Sequence, residues 1–321
     1  MGRGIMDIKI KIGNEEFKNP IWTASGTFGY GKEFEDFFDI EKIGAIITKT
    51  VTVNAREGNA PPRVVETPSG LLNSIGLENK GADKFREENY PYLKKLKTKI
   101  IISIAGNNEK EFEQCIEKLS EKHFPNAFEI NLSCPNVDHL GARYRLIAQD
   151  PRATEKIVKS VKKRSQQIVI AKLTPNVTDI AEIASAAENG GADAVSLVNT
   201  YMGIAVDAQE QTPVLGNIIG GLSGPAIKPM ALKAVRDAYQ KIKIPIIGIG
   251  GIMRGMDVVE FMLCGAKAVQ VGTANFVNPD GYNLILKEFK DYLKRKNIKK
   301  LNSIIGKIGN QSVGTGPRAC P

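Results

Sequence analysis

Cys134 follows the run Glu-Ile-Asn-Leu-Ser and precedes a proline, so it falls on a loop just past a β-branched stretch. A thiol with an ordinary pKa near 8.5 can exchange a proton close to neutrality, which suits a general base. The other cysteines read differently. Cys115 (Glu-Gln-Cys-Ile-Glu) and Cys264 (Phe-Met-Leu-Cys-Gly) sit in helical patterns as packing residues, and Cys320 falls at the end of the chain. Two lysines also close apolar runs: Lys49 in Thr-Lys-Thr and Lys172 in Ile-Val-Ile-Ala-Lys-Leu-Thr. A lysine in a packed interior is costly unless something anionic meets it. A snorkelling lysine and a Schiff-base lysine are the competing readings at such a position. Asn131, Asn136 and Asn199 bring amides that both donate and accept. Gly250-Gly251, Gly272-Thr273 and the turn Gly220-Gly-Leu-Ser-Gly224 put glycine where backbone N–H groups can approach phosphate oxygens.

These residues need elements that bring them to one place. Eight short β-branched runs recur, over residues 21–27, 45–50, 100–105, 128–133, 168–173, 194–199, 245–250 and 268–273. Helical patterns separate them, for example at 109–119, 153–164, 179–189 and 226–240. That alternation marks βαβ units and predicts a (β/α)8 TIM barrel spanning the chain as one domain, residues 1–321. Its strands read as continuous apolar runs, as strands covered on both faces should. Each chemical residue then falls at the carboxyl end of a strand, on the face where such barrels carry their sites. Residues 7–17 alternate around a Gly-Asn turn and predict a hairpin closing the barrel bottom. Residues 51–80 and 201–224 predict long loops inserted at the C-terminal face.

Composition narrows the class. Of 321 residues, 42% are hydrophobic and 25% charged, as in ordinary soluble domains. No apolar run approaches the roughly 18 residues of a membrane span, and no apolar leader opens the chain. A cytoplasmic protein is expected. Four scattered cysteines and two histidines predict neither a disulfide framework nor a metal site. The net charge of +9 resides largely in helix-like stretches such as Tyr92-Leu-Lys-Lys-Leu-Lys-Thr-Lys, with lysines on one face and apolar residues on the other. That patterning describes a solvated surface rather than a nucleic-acid site.

Four motifs together resemble class 1 dihydroorotate dehydrogenase: Asn131-Leu-Ser-Cys-Pro-Asn-Val, Thr23-Ala-Ser-Gly-Thr-Phe-Gly, Thr67-Pro-Ser-Gly-Leu-Leu-Asn-Ser-Ile-Gly-Leu and Gly220-Gly-Leu-Ser-Gly-Pro-Ala-Ile-Lys-Pro. Asn199-Thr-Tyr-Met-Gly and Gly272-Thr-Ala-Asn-Phe are similar to class 1B, the catalytic subunit of the NAD-linked type. The resemblance implies FMN and the oxidation of dihydroorotate to orotate in pyrimidine biosynthesis. By position it implies that Ser25, Lys49, Thr50, Asn131, Lys172, Val198, Gly224, Gly250, Gly251, Gly272 and Thr273 hold FMN. Substrate would meet Lys49, Asn73, Ser74, Ile75, Gly76, Leu77, Asn131, Asn199 and Thr200, with Cys134 as base and Lys49 beside it in the catalytic set. It also implies a homodimer core with a partner subunit carrying FAD and a [2Fe-2S] cluster, a heterotetramer that passes electrons to NAD.

Two places depart from the family pattern. After Asn136-Val137 the family runs Gly-Gly and then Phe-Gly, whereas this chain reads Asp138-His-Leu-Gly-Ala-Arg-Tyr-Arg-Leu-Ile-Ala-Gln149. Ser103 stands where many relatives place an asparagine near the flavin. Dihydropyrimidine dehydrogenase and tRNA dihydrouridine synthase share the barrel and flavin and remain alternatives. The first usually follows Cys-Pro with histidine and glycine, and the second usually has Gly-Cys-Pro. A non-redox aldolase or a binding barrel is the reading without flavin.

Overall fold

The computed structural model describes residues 7–133 and 146–308; Cys134, Asn136, residues 138–145 and the tail with Cys320 lie outside them. A hairpin comes first, β1 (Ile10–Ile12) and β2 (Glu15–Phe17), paired antiparallel across Gly13-Asn14. The barrel opens with β3 (Ile21–Thr23) and β4 (Ala45–Ile47). Next, β5 (Val64–Thr67), β6 (Gly70–Asn73) and α1 (Ala82–Leu93) lead to β7 (Lys99–Ile104). A regular stretch follows: α2 (Glu109–Leu119), β8 (Ala127–Asn131), α3 (Pro151–Arg164), β9 (Ile168–Lys172), α4 (Ile180–Asn189) and β10 (Ala194–Leu197). Four short strands, β11 (Tyr201–Ile204), β12 (Val206–Asp207), β13 (Thr212–Pro213) and β14 (Ile219–Ser223), precede α5 (Lys228–Lys241). The chain finishes with β15 (Ile246–Ile249), α6 (Gly255–Cys264), β16 (Ala268–Val271), α7 (Ala274–Val277) and α8 (Gly281–Arg295).

All eight expected barrel strands are present in one parallel sheet, ordered β4-β7-β8-β9-β10-β15-β16-β3. The sheet closes into a (β/α)8 barrel at the seam between β3 and β4. There the Gly44 N–H donates to Ile21 O at 2.9 Å, and the Thr23 hydroxyl takes the Ile47 N–H at 2.7 Å and donates to Ile47 O at 3.3 Å. A side chain thus completes the ladder where the backbones do not pair directly. The strands are buried on both faces, with Ile46, Ile101, Val169, Val195 and Ile247 fully enclosed.

The helices form where apolar residues recur at helical spacing behind a polar cap. In α2, Phe112, Cys115, Ile116 and Leu119 face the sheet, and the Asn108 side chain accepts from the Glu111 N–H. Asp150 and Asp179 cap α3 and α4 in the same way. The hairpin lies at the amino end of the barrel, where a Cβ on Gly13 would stand 3.3 Å from Ile168, the first residue of β9. Among the described residues no helix is long and apolar enough to cross a membrane.

Three expectations need correction. The first crossover, from β3 to β4, is built from 3-10 turns at Lys32–Phe34 and Ile40–Lys42 rather than an α-helix. The two long connections are not simply loops: β5, β6, β14 and β11 pair across them into an antiparallel four-stranded sheet. Glycines at 70, 203, 220 and 221 hide those strands from propensity, since pairing partners far apart in sequence stabilise them instead. The barrel strands also stop one to four residues earlier than the apolar runs; beyond β3, β4, β10, β15 and β16, residues that have left the ladder line a cavity.

Candidate active site

A cavity of about 280 Å³ lies at the carboxyl ends of the barrel strands, roofed on one side by residues of β5 and β6. Its wall takes Ser25 from beyond β3, Lys49 and Thr50 from beyond β4, Asn131 from β8 and Lys172 from β9. Val198, Asn199 and Thr200 follow β10, Gly250 and Gly251 follow β15, and Gly272 and Thr273 follow β16. Asn73, Ile75, Leu77 and Gly224 complete the residues that sequence reasoning placed in a site. Two others do not border the cavity. The Ser74 hydroxyl faces inward to accept from Asn59 at 2.7 Å and Asn217 at 3.1 Å, and Gly76 packs so that a Cβ would sit 2.6 Å from Asn59 N. Cys134 lies outside the described residues, one position after Ser133.

Register explains the polar floor. Asn131, Lys172 and Ser196 are cross-strand neighbours on β8, β9 and β10, so their side chains form one row. The Asn199 amide donates to Ser133 Oγ at 2.9 Å and Asn131 Oδ1 at 3.3 Å, while its own oxygen takes the Thr200 N–H at 2.8 Å. The two amides are therefore held in fixed orientation before any ligand arrives. Lys49 sits 3.9 Å from Glu78, whose carboxylate is engaged more closely by Arg63 at 2.8 Å. A hydroxyl chain runs from Ser25 to Thr50 at 3.1 Å and on to the enclosed Ser103 at 2.9 Å.

The glycine turns make a cradle. Gly251 adopts a φ of +71°, and a Cβ there would meet the Lys228 Cβ at 2.7 Å and Gly224 O at 2.9 Å, so only glycine lets these two turns touch. Gly272 is different. A Cβ would be no closer than 3.4 Å to Ala24, so the fold tolerates one and the cavity would lose the space. Among the described residues, the backbone N–H groups of Gly224, Gly251, Gly272 and Thr273 donate to no protein oxygen. Unpaired N–H groups converging at the ends of β15 and β16 suit the oxygens of a phosphate.

Sequence reasoning missed the layer beneath. Glu129 is fully enclosed inside the barrel, its Oε1 3.5 Å from Lys172 Nζ. Its Oε2 accepts from Ser196 at 3.0 Å and from Gln270 at 2.5 Å. The signal was available: Glu129 precedes Asn131 by two residues on one strand and so shares its face. Val64, Ile249, Met253 and Phe276 also line the cavity and supply an apolar surface for a planar ring.

The cysteines separate clearly. Burial, with the Glu111 carboxylate adding to it, pushes the Cys115 thiol up to about 12, and burial raises Cys264 as well. Both shifts move the thiols away from neutrality. Beyond the undescribed stretch, the chain returns as a 3-10 turn at Ile147–Gln149. It is anchored by the Ala148 N–H on Leu132 O at 3.0 Å and the Gln149 amide on Asn176 O at 2.8 Å.

Comparison with known proteins agrees with this geometry. The family described as dihydroorotate dehydrogenase matches residues 7–293. A Desulforamulus reducens protein named "Dihydroorotate dehydrogenase B (NAD(+)), catalytic subunit" is 48% identical over 301 residues, covering 94% of this chain and 98% of that protein. Proteins of the same name from Parabacteroides distasonis, 47% identical over 305 residues, and Thermoanaerobacter sp. (strain X514), 48% identical over 303, cover 95% and 94% of this chain and 99% of their own lengths. The matched stretch takes in every barrel strand and the cavity they surround, and the chain belongs to the dihydroorotate dehydrogenase family.

Proposed function

We propose that this chain oxidises dihydroorotate to orotate with FMN held in the cavity described above, as the catalytic subunit of an NAD-linked enzyme. The observation that supports it is convergence. The phosphate-type cradle at Gly224, Gly251, Gly272 and Thr273, the oriented amides Asn131 and Asn199, and the lysines Lys49 and Lys172 border one enclosed space. The free N–H groups and the room left at Gly272 fit a phosphate ester, and the apolar wall fits a flat ring.

In this reading Ser25, Thr50, Lys172 and Val198 flank the ring, and Gly224, Gly250, Gly251, Gly272 and Thr273 hold the phosphate. Lys49, Asn73, Ile75, Leu77, Asn131, Asn199 and Thr200 meet the substrate. Bound FMN supplies the acceptor for the hydride that leaves C6. The protein's share is to remove the C5 proton, which we assign to the Cys134 thiolate, and to orient the pyrimidine so that both bonds break across the forming C5–C6 double bond. Amides suit an imide and a carboxylate because each both donates and accepts. Lys49, only loosely engaged by Glu78, is the cation available to the substrate carboxylate. Electrons reach NAD through a separate subunit, which we assign FAD and a [2Fe-2S] cluster, on a homodimeric core. The relatives' designation as a catalytic subunit supports the existence of such a partner.

The test is anaerobic addition of substrate to the purified yellow protein. Dihydroorotate should bleach the flavin absorbance within one turnover while dihydrouracil leaves it unchanged. Bleaching by dihydrouracil alone, or by neither, contradicts the assignment.

A further inference from the structure

Glu129 is a carboxylate with no access to solvent, placed in the middle of a parallel barrel. It does not border the cavity, whereas Lys172 does. Oε2 is locked from two directions, by Ser196 on β10 and Gln270 on β16. Oε1 makes no hydrogen bond, and its counter-charge is the Lys172 ammonium at 3.5 Å. That distance is an ion contact rather than a well-formed hydrogen bond, so the lysine is held without being saturated. An enclosed carboxylate of this kind persists only if it is paired and hydrogen-bonded.

We propose that Glu129 is a positioning residue that fixes the Lys172 ammonium between the barrel interior and the cavity, and so limits how strongly that charge stabilises a reduced flavin. The inference rests on the reading of the cavity as an FMN site. With Glu129 charged, the pair is neutral overall and a neutral oxidised ring meets no uncompensated cation. When electron density builds on the ring, Lys172 has two anionic neighbours to share. The carboxylate thus opposes reduction, and the donors Ser196 and Gln270 moderate that opposition by drawing off part of its charge. The arrangement sets the redox balance from a residue that touches neither cofactor nor substrate.

The experiment is anaerobic photoreduction of the FMN-loaded protein against a reference dye, read from the flavin and dye spectra. Glu129→Gln keeps the shape and an acceptor oxygen but removes the charge. It should shift the equilibrium toward reduced flavin by about tenfold, about 30 mV for a two-electron couple. Ser196→Ala removes a donor from the carboxylate and should shift it the opposite way, by roughly threefold, about 14 mV for a two-electron couple. A residue that merely braces the barrel would lower thermal stability in both variants and leave the equilibrium unmoved, which would overturn the proposal. If Glu129→Gln does not fold, the sign of the Ser196→Ala shift decides alone. Lys172→Met separates the two readings. A shift toward oxidised flavin there, with none in the Glu129 and Ser196 variants, rejects the role of Glu129 and leaves the FMN site standing. A wild-type protein that takes up no FMN rejects both.

Discussion

At the scale of single residues, the cysteines show how one side chain takes different roles from its surroundings. Cys115 lies on the buried face of α2, its thiol pushed up to about 12, and Tyr30 is likewise raised by burial to about 12. An unfolded thiol loses its proton near 8.5. Between about pH 9 and about pH 12 the unfolded chain has therefore released a proton that the folded chain still binds at Cys115. Stability is fully present below that window and falls within it, by about 1.4 kcal/mol per pH unit for one such group. Urea unfolding at pH 8, 8.5 and 9 should show the onset of this decline, and Cys115→Ala should reduce it there, where unfolded tyrosines are still almost wholly protonated; the raised Cys264 thiol accounts for part of what remains. An unchanged slope in the variant would mean that Cys115 is not the group responsible. The base role proposed for Cys134 asks for the opposite environment; in the sequence this residue follows the end of β8 by three positions.

At the scale of elements, the closing seam of the barrel is the least expected feature. The sheet order ends at β3 and β4, and the Thr23 hydroxyl bridges them at Ile47. Thr23→Val conserves the shape but leaves a buried N–H without a partner, a loss of about 1–3 kcal/mol. Urea denaturation should show that decrease with an unchanged slope; a variant as stable as the parent would show that the seam does not depend on this bond. The barrel strands were legible because each is an apolar β-branched run and helices of clear period separate most of them. Helix α2 was legible to the residue, since its Asn108 cap and its Phe112-to-Leu119 face agree. The antiparallel sheet was not. Its strands β11 and β14 carry Gly203, Gly220 and Gly221, and they are stabilised by partners such as Asn73 that lie far away in sequence. Most of the expected site residues border the cavity because strand ends in a barrel converge by geometry. Ser74 and Gly76 do not border it, because a turn's local sequence does not say which side faces inward. The spacing puts Glu129 on the same face as Asn131, but its partners could not be read until the register with Lys172 and Ser196 was known.

At the scale of the whole molecule, charge and site are separate matters. The surplus of lysine and arginine is placed where a solvated surface wants it, with Lys162, Lys163 and Arg164 in the last turn of α3 and Lys294 and Arg295 in the last turn of α8. Several of these cations are taken up by neighbouring helices, as where Arg164 meets Glu113 at 3.2 Å and Glu117 at 2.5 Å. The cavity draws on seven of the eight barrel strands or the residues just beyond them, so it depends on closure of the whole sheet rather than on any one loop. The claim that joins these scales is that Cys134 supplies the base to a flavin site the rest of the barrel has already assembled. Anaerobic stopped-flow reduction by dihydroorotate, comparing the parent with Cys134→Ser at equal flavin content, tests it most directly. The account predicts that flavin binding is unchanged and that the reduction rate at pH 7 falls by about 100-fold or more, the usual contribution of a positioned general base; a variant that bleaches as fast as the parent would contradict it.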